Sequence, residues 1–395
     1  MKSLVEGSIQ GMLQKLDPHS VFLTPKMYQE FKEDTSGRFG GLGLEVTKRN
    51  ENLIVIAPIE DGPSYIAGIK ERDIIISVDG KSTVDMPLDS AVSLMRGKPG
   101  TAVNIGVLRE VDGKKKKMFN YKIKRQIIKL KSVKWTLIDQ NIAYLKITSF
   151  TEKTYSEFTK AFKKLEAQAK DGLKGIVLDL RGNPGGLLDQ AVGISNFFIE
   201  EGPIVYTIGR DKDKREIEYA QKGRQKSKLP LVTLIDSSSA SASEIVAGAL
   251  QDYGRSIIAG RKSFGKGSVQ TIIPMGNDSG LKLTIARYYT PSGRSIQAEG
   301  IVPDVELEYF SPQEIEKAKQ RGARVQEKDL VGHIEKKSGK DKIKEEQQLL
   351  TSLQKAVRKD YMVTRAKGIL KTMNVVKFGK KKPKFAIKSK DKKTQ

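Results

Sequence analysis

Two small-residue segments carry the residues best suited to chemistry in this chain: Ser239-Ala-Ser-Ala-Ser-Glu244 and Phe264-Gly-Lys-Gly-Ser-Val-Gln270. Ser241 stands where an apolar strand, Leu231 to Ile235, gives way to a predicted helix, Glu244 to Tyr253, and Lys266 follows 25 residues on. A hydroxyl at a helix N-terminus lies among unpaired N–H groups that favour a developing negative charge. That is a nucleophile's position. Three serines in five residues, Ser239, Ser241 and Ser243, leave the choice among them open at this level. The run Ser241-Ala-Ser-Glu244 also matches the S-x-x-E capping box, in which Glu244 is a structural partner.

Lys266 could act as the base only if it gave up its proton. An unperturbed lysine titrates near ~10.4, whereas a general base working at neutral pH needs a value of roughly 7 to 8. Burial among apolar groups supplies such a shift. Gly265 and Gly267 let the backbone turn tightly around the lysine, and Gln270, being neutral, can accept a bond from the amine without stabilising its charged form. The stretch Gly260 to Lys266 reads G-x-x-x-x-G-K, but Gly267 replaces the hydroxyl residue of a phosphate loop and Val269 to Ile273 reads as a strand where a helix should begin.

The absence of Cys excludes thiol proteases, thiolate zinc sites and disulfides. There are two His, His19 and His333, neither in an HExxH pattern, and both fall outside the segment with the strongest α/β pattern. A Ser-Lys arrangement therefore fits better than a Ser-His-Asp triad, and no metal or other cofactor is expected.

Stepping outward from these residues, the chain reads as an α/β multidomain protein in four zones. Residues 1–37 are mostly helical, interrupted at Asp17-Pro18. Residues 38–125 show short strands and Gly-rich turns, including Gly40-Gly-Leu-Gly-Leu44 and the hairpin signal Asp79-Gly80, with two small helices and an exposed hairpin at Lys114 to Lys117. Residues 126–308 alternate apolar strands with helices: strands Ile142 to Ile147 and Gly175 to Leu180, helices Tyr155 to Ala169 and Leu187 to Phe198. This pattern implies a sheet buried on both faces, with its site outside the strands' carboxyl ends. Residues 309–395 hold a helix-forming stretch, Lys344 to Lys371, and a basic tail.

The blocks Gly40 to Glu45, Asp179-Leu-Arg-Gly-Asn-Pro-Gly-Gly186, Ser239 to Glu244 and Phe264 to Gln270, with Leu16-Asp-Pro-His-Ser20 near the start, resemble the carboxy-terminal processing (tail-specific) proteases. The resemblance spans roughly Leu4 to Leu307. It implies a PDZ domain set ahead of a serine-protease core of crotonase/Clp-like fold. By residue-for-residue carry-over it makes Ser241 the nucleophile, Lys266 the general base and Gln270 the residue orienting the lysine. It also implies an oxyanion hole built from the N–H of Ala242 and a glycine, Gly185 or Gly186. In the PDZ domain the N–H groups of Leu42, Gly43 and Leu44 would hold a substrate's terminal carboxylate, and Arg96 would couple that domain to the catalytic centre. The turn Glu71-Arg-Asp73 departs from the family's usual Pro-Gly-Asp.

The expected function is a serine endopeptidase acting on proteins or peptides with free C-termini. The alternative is a catalytically inactive PDZ scaffold or regulator, which would need none of Ser241, Lys266 and Gln270. The formal charge is +24, from Lys+Arg 71 against Asp+Glu 47; residues 340–395 hold 18 basic against 5 acidic residues, so over half the excess lies in one tail. That tail has few aromatics for base stacking, so specific nucleic-acid binding is not expected, and an anionic envelope surface is the partner it would suit. Homodimerisation through the N- and C-terminal helices is a further expectation. Met1 to Leu16 is amphipathic rather than a continuous apolar h-region. Because members of the family normally begin with an export signal or membrane anchor, the resemblance implies a mature or truncated start and an extracytoplasmic location, periplasm or cell envelope.

Overall fold

The computed structural model describes residues 2–49, 51–59, 61–111, 115–309 and 352–375. They fall into two compact units, Glu30–Leu130 and the combination of the chain up to Gln29 with that from Lys131 onward. No helix among the described residues is long and apolar enough to cross a membrane.

The smaller unit is an antiparallel sheet ordered Leu44–Arg49, Asn52–Pro58, Ile74–Val78, Ala102–Val111, Lys115–Lys124, with Leu44–Arg49 at one edge. Alternate residues Leu53 and Val55, and likewise Val103, Ile105 and Val107, turn inward and are buried, the period of two that a sheet with one covered face requires. Helices Pro63–Ala67 and Leu88–Met95 complete the unit. The last two strands pair over ten residues each, a longer hairpin than the sequence pattern suggests, with Lys115, Lys116 and Lys117 exposed. A separate strand pair, Arg38–Gly41 with Gln126–Lys129, joins the unit's two ends in antiparallel register. Through this pair, residues 126–129 lie in the same compact unit as 38–41.

The larger unit is built on a six-stranded sheet ordered Val133–Ile138, Ile142–Ile147, Gly175–Asp179, Leu231–Ile235, Ile257–Gly260, Val305–Glu306. The first pair is antiparallel and the others parallel. Every residue of Gly175–Asp179 and Leu231–Ile235 is buried, because both faces are covered. Ile176 and Leu178 join the core formed with helices Thr154–Gln168, Leu188–Phe198 and Ala242–Asp252, while Val177 and Val232 belong to a second core with Met362, Val363, Ala366 and Leu370. Those last four lie on helix Tyr361–Val375, preceded by helical residues 352–359. The described part of the predicted Lys344 to Lys371 helix therefore packs on its own sheet instead of presenting this face to a second subunit. A parallel sheet left bare on that side would expose a continuous apolar surface. Residues 344–351 lie outside the described residues.

A second sheet centres on Ser279–Tyr289. Ser268–Met275 pairs with one edge of that strand; Val21–Leu23 and Gly202–Ile208 pair with the other, and Arg215–Ala220 follows. The N-terminal zone thus contributes, besides helices Lys2–Gln14 and Pro25–Ser36, a three-residue strand too short to show periodicity.

Candidate active site

Strand Leu231–Ile235 ends in a turn that places Ser241 at the N-cap of helix Ala242–Asp252 with φ 54° and ψ −113°. A side-chain-bearing residue in this region is strained, and such strain persists only where its surroundings fix it. Those surroundings also separate the three serines. Ser239 Oγ donates to Leu180 O at 2.9 Å and Ser243 Oγ to Asn183 O at 3.0 Å, and both residues are fully buried. Ser241 is only half-buried.

Glu244 fixes the turn. Its Oε2 accepts the Ser241 N–H at 2.8 Å, the carboxylate arm of a capping box, and also the Lys266 N–H at 2.9 Å. Its Oε1 accepts the Gly265 N–H and the Ser263 hydroxyl, both at 2.6 Å. The capping role read from the sequence is therefore half of what this side chain does. A fully buried carboxylate is tolerable because four donors surround it, and they come from the two loops that carry Ser241 and Lys266.

Lys266 is half-buried, and burial pulls its ammonium below the ordinary lysine value. Lys282, flanked across the second sheet by Val21 and Ile272, is also pulled down, first by burial and then by Lys266. The fold brings His19, outside the α/β segment in sequence, close to Lys266 and Gln270. The Asp17 to Ser20 turn docks on this sheet, where Asp17 accepts from Ser20 Oγ at 2.6 Å and from Thr284 Oγ1 at 3.0 Å. Burial and then the neighbouring Lys266 hold the His19 imidazole below its ordinary value, with Asp17 opposing them. His333 lies outside the described residues. Gln270 donates its Nε2 to the His19 carbonyl at 3.2 Å. Among the described residues no hydrogen bond joins Lys266 Nζ to Gln270 or to Ser241.

Against Ser241 lies the turn 182–186. A Cβ on Gly185, at φ +104°, would sit 2.8 Å from both Ala240 O and Ser241 Cβ, so the turn approaches the serine as closely as glycine permits. The Gly185 N–H is taken by Asn183 Oδ1 at 2.9 Å. The N–H groups of Gly186 and Ala242 donate to no group among the described residues.

In the smaller unit, the Gly40 to Leu44 loop opens onto the edge strand Leu44–Arg49. Gly43 has φ +69°, and a Cβ there would meet the Ile128 side chain at 3.2 Å. Carbonyls of Leu42 and Gly43 accept from Ser64 and Ile59 at 2.9 and 2.7 Å, while the N–H groups of these two residues make no bond among the described residues. Arg96 ends helix Leu88–Met95 with its guanidinium 4.5 Å from the centre of the Phe39 ring.

Residues 141–307 match the family description Peptidase family S41, and residues 54–109 match PDZ domain. Over 343 residues the chain is 46% identical to a carboxy-terminal-processing protease of Bartonella bacilliformis, covering 86% of this chain and 77% of that one. The chain belongs to the carboxy-terminal processing proteases. Carboxy-terminal processing protease CtpA of Bacillus subtilis is 40% identical over 306 residues, covering 77% of this chain and 64% of its own length. Among solved structures, a photosystem II D1 C-terminal processing protease aligns at 30% identity and a TM-score of 0.49, covering 78% of this chain and 83% of that one. From the two family matches, the fold class is a PDZ domain with a mixed α/β serine-protease domain.

Several residues around this protease's site have no local signal in the sequence. Asp236 Oδ1 accepts the Gly182 and Ser238 N–H groups, both at 3.0 Å, tying the glycine turn to the serine turn. Asn183 O accepts the Ala240 N–H at 3.0 Å as well as Ser243. Only the Asp-Leu-Arg-Gly-Asn-Pro-Gly-Gly run hinted that this stretch had a special geometry.

Proposed function

We propose that this serine protease recognises the free C-terminus of a protein substrate through its PDZ domain and cleaves the chain with a Ser241-Lys266 dyad. The observation that carries the reading is Glu244, whose single carboxylate holds the Ser241 turn and the Lys266 loop in fixed register. In its neutral form Lys266 takes the Ser241 Oγ proton as the oxygen attacks the scissile carbonyl carbon. The negative charge on the carbonyl oxygen is met by the Ala242 N–H and a glycine N–H of the turn; Gly186 suits this better than Gly185, whose N–H is already engaged. The Lys266 ammonium then protonates the departing amine as the C–N bond breaks, leaving an acyl ester on Ser241. Water, deprotonated by Lys266, attacks that ester and regenerates the hydroxyl. Gln270 orients the lysine from the neighbouring strand.

A substrate tail adds beside edge strand Leu44–Arg49, its carboxylate on the Leu42, Gly43 and Leu44 amides. Arg96 is the residue we assign to coupling tail binding to cleavage. An extracytoplasmic location, in the periplasm or cell envelope, and contact of the basic tail with an anionic envelope surface belong to the same reading. So does homodimerisation through the N-terminal helix, where Leu4, Val5 and Met12 are exposed. The test is digestion of an unfolded protein by the wild type and by Ser241→Ala, with mass spectrometry of the products. Internal cleavages absent from the Ser241→Ala digest support the dyad; equal digestion by both overturns it.

A further inference from the structure

The guanidinium of Arg181 sits between two carboxylates, Asp179 at the end of its own strand and Asp360 at the start of the C-terminal helix. Its Nε and Nη2 donate to Asp179 Oδ1 and Oδ2 at 2.9 and 2.7 Å; its Nη1 and Nη2 donate to Asp360 Oδ1 and Oδ2 at 3.2 and 2.8 Å. Asp179 ends the central strand, is fully buried, and also accepts the Tyr144 hydroxyl at 2.6 Å. Asp360 starts the C-terminal helix, where its Oδ1 accepts the Val363 N–H at 3.1 Å as an N-cap. Met362 Sδ closes the remaining side of Nη1 at 3.2 Å. Burial favours a neutral guanidinium, but Asp179 and then Asp360 outweigh it and keep Arg181 charged.

Arg181 is the residue before Gly182, so whatever holds Arg181 holds the start of the glycine turn. From there the turn continues through Gly182 N–H on Asp236 and Asn183 Nδ2 on the Ile147 carbonyl, both at 3.0 Å, to Gly185 against Ser241. We propose that Asp360 is a positioning residue for peptide cleavage, by which the C-terminal helix holds Arg181 and thereby sets the glycine turn against the nucleophile. The inference rests on the reading of Ser241 as nucleophile and of the 182–186 turn as an oxyanion donor. Asp179 alone aligns one edge of the guanidinium; Asp360 fixes the other edge, and only the two together hold both ends of the planar fork. Donors misplaced by a fraction of an ångström cost far more in rate than in stability.

The test separates the two roles of Asp360. Asp360→Asn keeps a side-chain oxygen able to cap the helix but sets an amide N–H₂ against Arg181, whereas Asp360→Glu keeps the charge. Each full-length variant, with wild type and Ser241→Ala, is titrated with a fluorophosphonate probe to count reactive serines. The kcat per titrated site and the KM are then measured on one peptide, alongside the melting temperature. The expected result for Asp360→Asn is a fall in kcat per site of about tenfold or more with KM unchanged, and partial recovery in Asp360→Glu. An unchanged kcat per site in Asp360→Asn, whatever the melting temperature does, overturns the proposal while an inactive Ser241→Ala leaves the dyad standing. Cleavage surviving in Ser241→Ala overturns the dyad and this proposal with it.

Discussion

The backbone N–H groups of Ser241 and Lys266 converge on one oxygen, Oε2 of Glu244, at 2.8 and 2.9 Å. Nucleophile and base are thus registered through their main chains before any contact between their side chains. Glu244→Ala would strip four donors of their acceptor, and the two buried ones, the Ser263 hydroxyl and the Gly265 N–H, cost about 1–3 kcal/mol each. The expected outcome is a large drop in melting temperature together with loss of peptidase activity. Glu244→Gln offers one acceptor oxygen in place of two and turns its amide towards the remaining donors, so activity should fall steeply there too. Near-wild-type kcat in a folded Glu244→Gln would show that the register is held some other way.

The depressed Lys266 dictates the direction of the pH profile. Its neutral amine is the working form, so kcat should rise with pH along a limb whose apparent pKa lies below that of free lysine. The same shift acts on stability: between the folded value and the ordinary one, the unfolded chain binds more protons, so stability rises with pH across that window. Lys266→Arg should be as inactive as Lys266→Ala, since a guanidinium does not give up its proton. Initial rates on one peptide across a pH series decide both points of activity, and unfolding measured over the same series decides the stability.

His19 stands near the base without being needed as one. Gln270 bonds to its backbone carbonyl, which any side chain at position 19 retains. Replacing the imidazole in His19→Gln should therefore leave most of the activity, and a double change with His333 should do the same. A folded but inactive double variant would restore a Ser-His mechanism.

How much of this was legible in the sequence depended on chain separation. The strand-turn-helix around Ser241 and the Gly-Lys-Gly loop could be read because each is set by local residue types: small residues at the turn, S-x-x-E at the helix start, glycines beside the lysine. The second arm of Glu244 could not, because its partners Ser263, Gly265 and Lys266 lie 19 to 22 residues away and resemble any buried loop. The approach of the Asp17 to Ser20 turn was hidden for a related reason. It depends on the three-residue strand Val21–Leu23 finding an edge of Ser279–Tyr289, a pairing with too few residues to leave a pattern. Between Gly185 and Gly186 the sequence offered no choice, since what distinguishes them is whether the Asn183 side chain folds back onto one N–H.

Gly185→Ala should separate catalysis from folding. At φ +104° an added methyl is strained, and it would press on Ser241 Cβ and the Ala240 carbonyl at 2.8 Å. The strain is worth about 1–3 kcal/mol, within reach of a domain this size, but the nucleophile must move. We expect a folded protein by circular dichroism whose kcat has dropped by about a hundredfold or more. A variant with normal kcat would remove the glycine turn from the site.

Tail recognition makes the last prediction, and it turns on a single charge. Among the described residues the Leu42 and Gly43 amides donate to no acceptor, and they lie beside an edge strand, so a terminal carboxylate should gain charge-assisted bonds there that a carboxamide cannot match. On a peptide pair differing only in that group, the free acid should be cleaved severalfold faster by the wild type. The domain can be removed cleanly, because Arg38–Gly41 and Gln126–Lys129 lie side by side and a variant lacking residues 38–129 rejoins adjacent ends. In that variant the acid and the amide should be cleaved at equal rates. A drop in the shared rate would mean that the domain helps assemble the site, and a rise would mean that it blocks the site until a tail arrives. We expect the rise, since a protease whose site stood always open would attack any unfolded chain. Equal cleavage of the two peptides by the wild type would sink tail recognition and leave the domain with a different task.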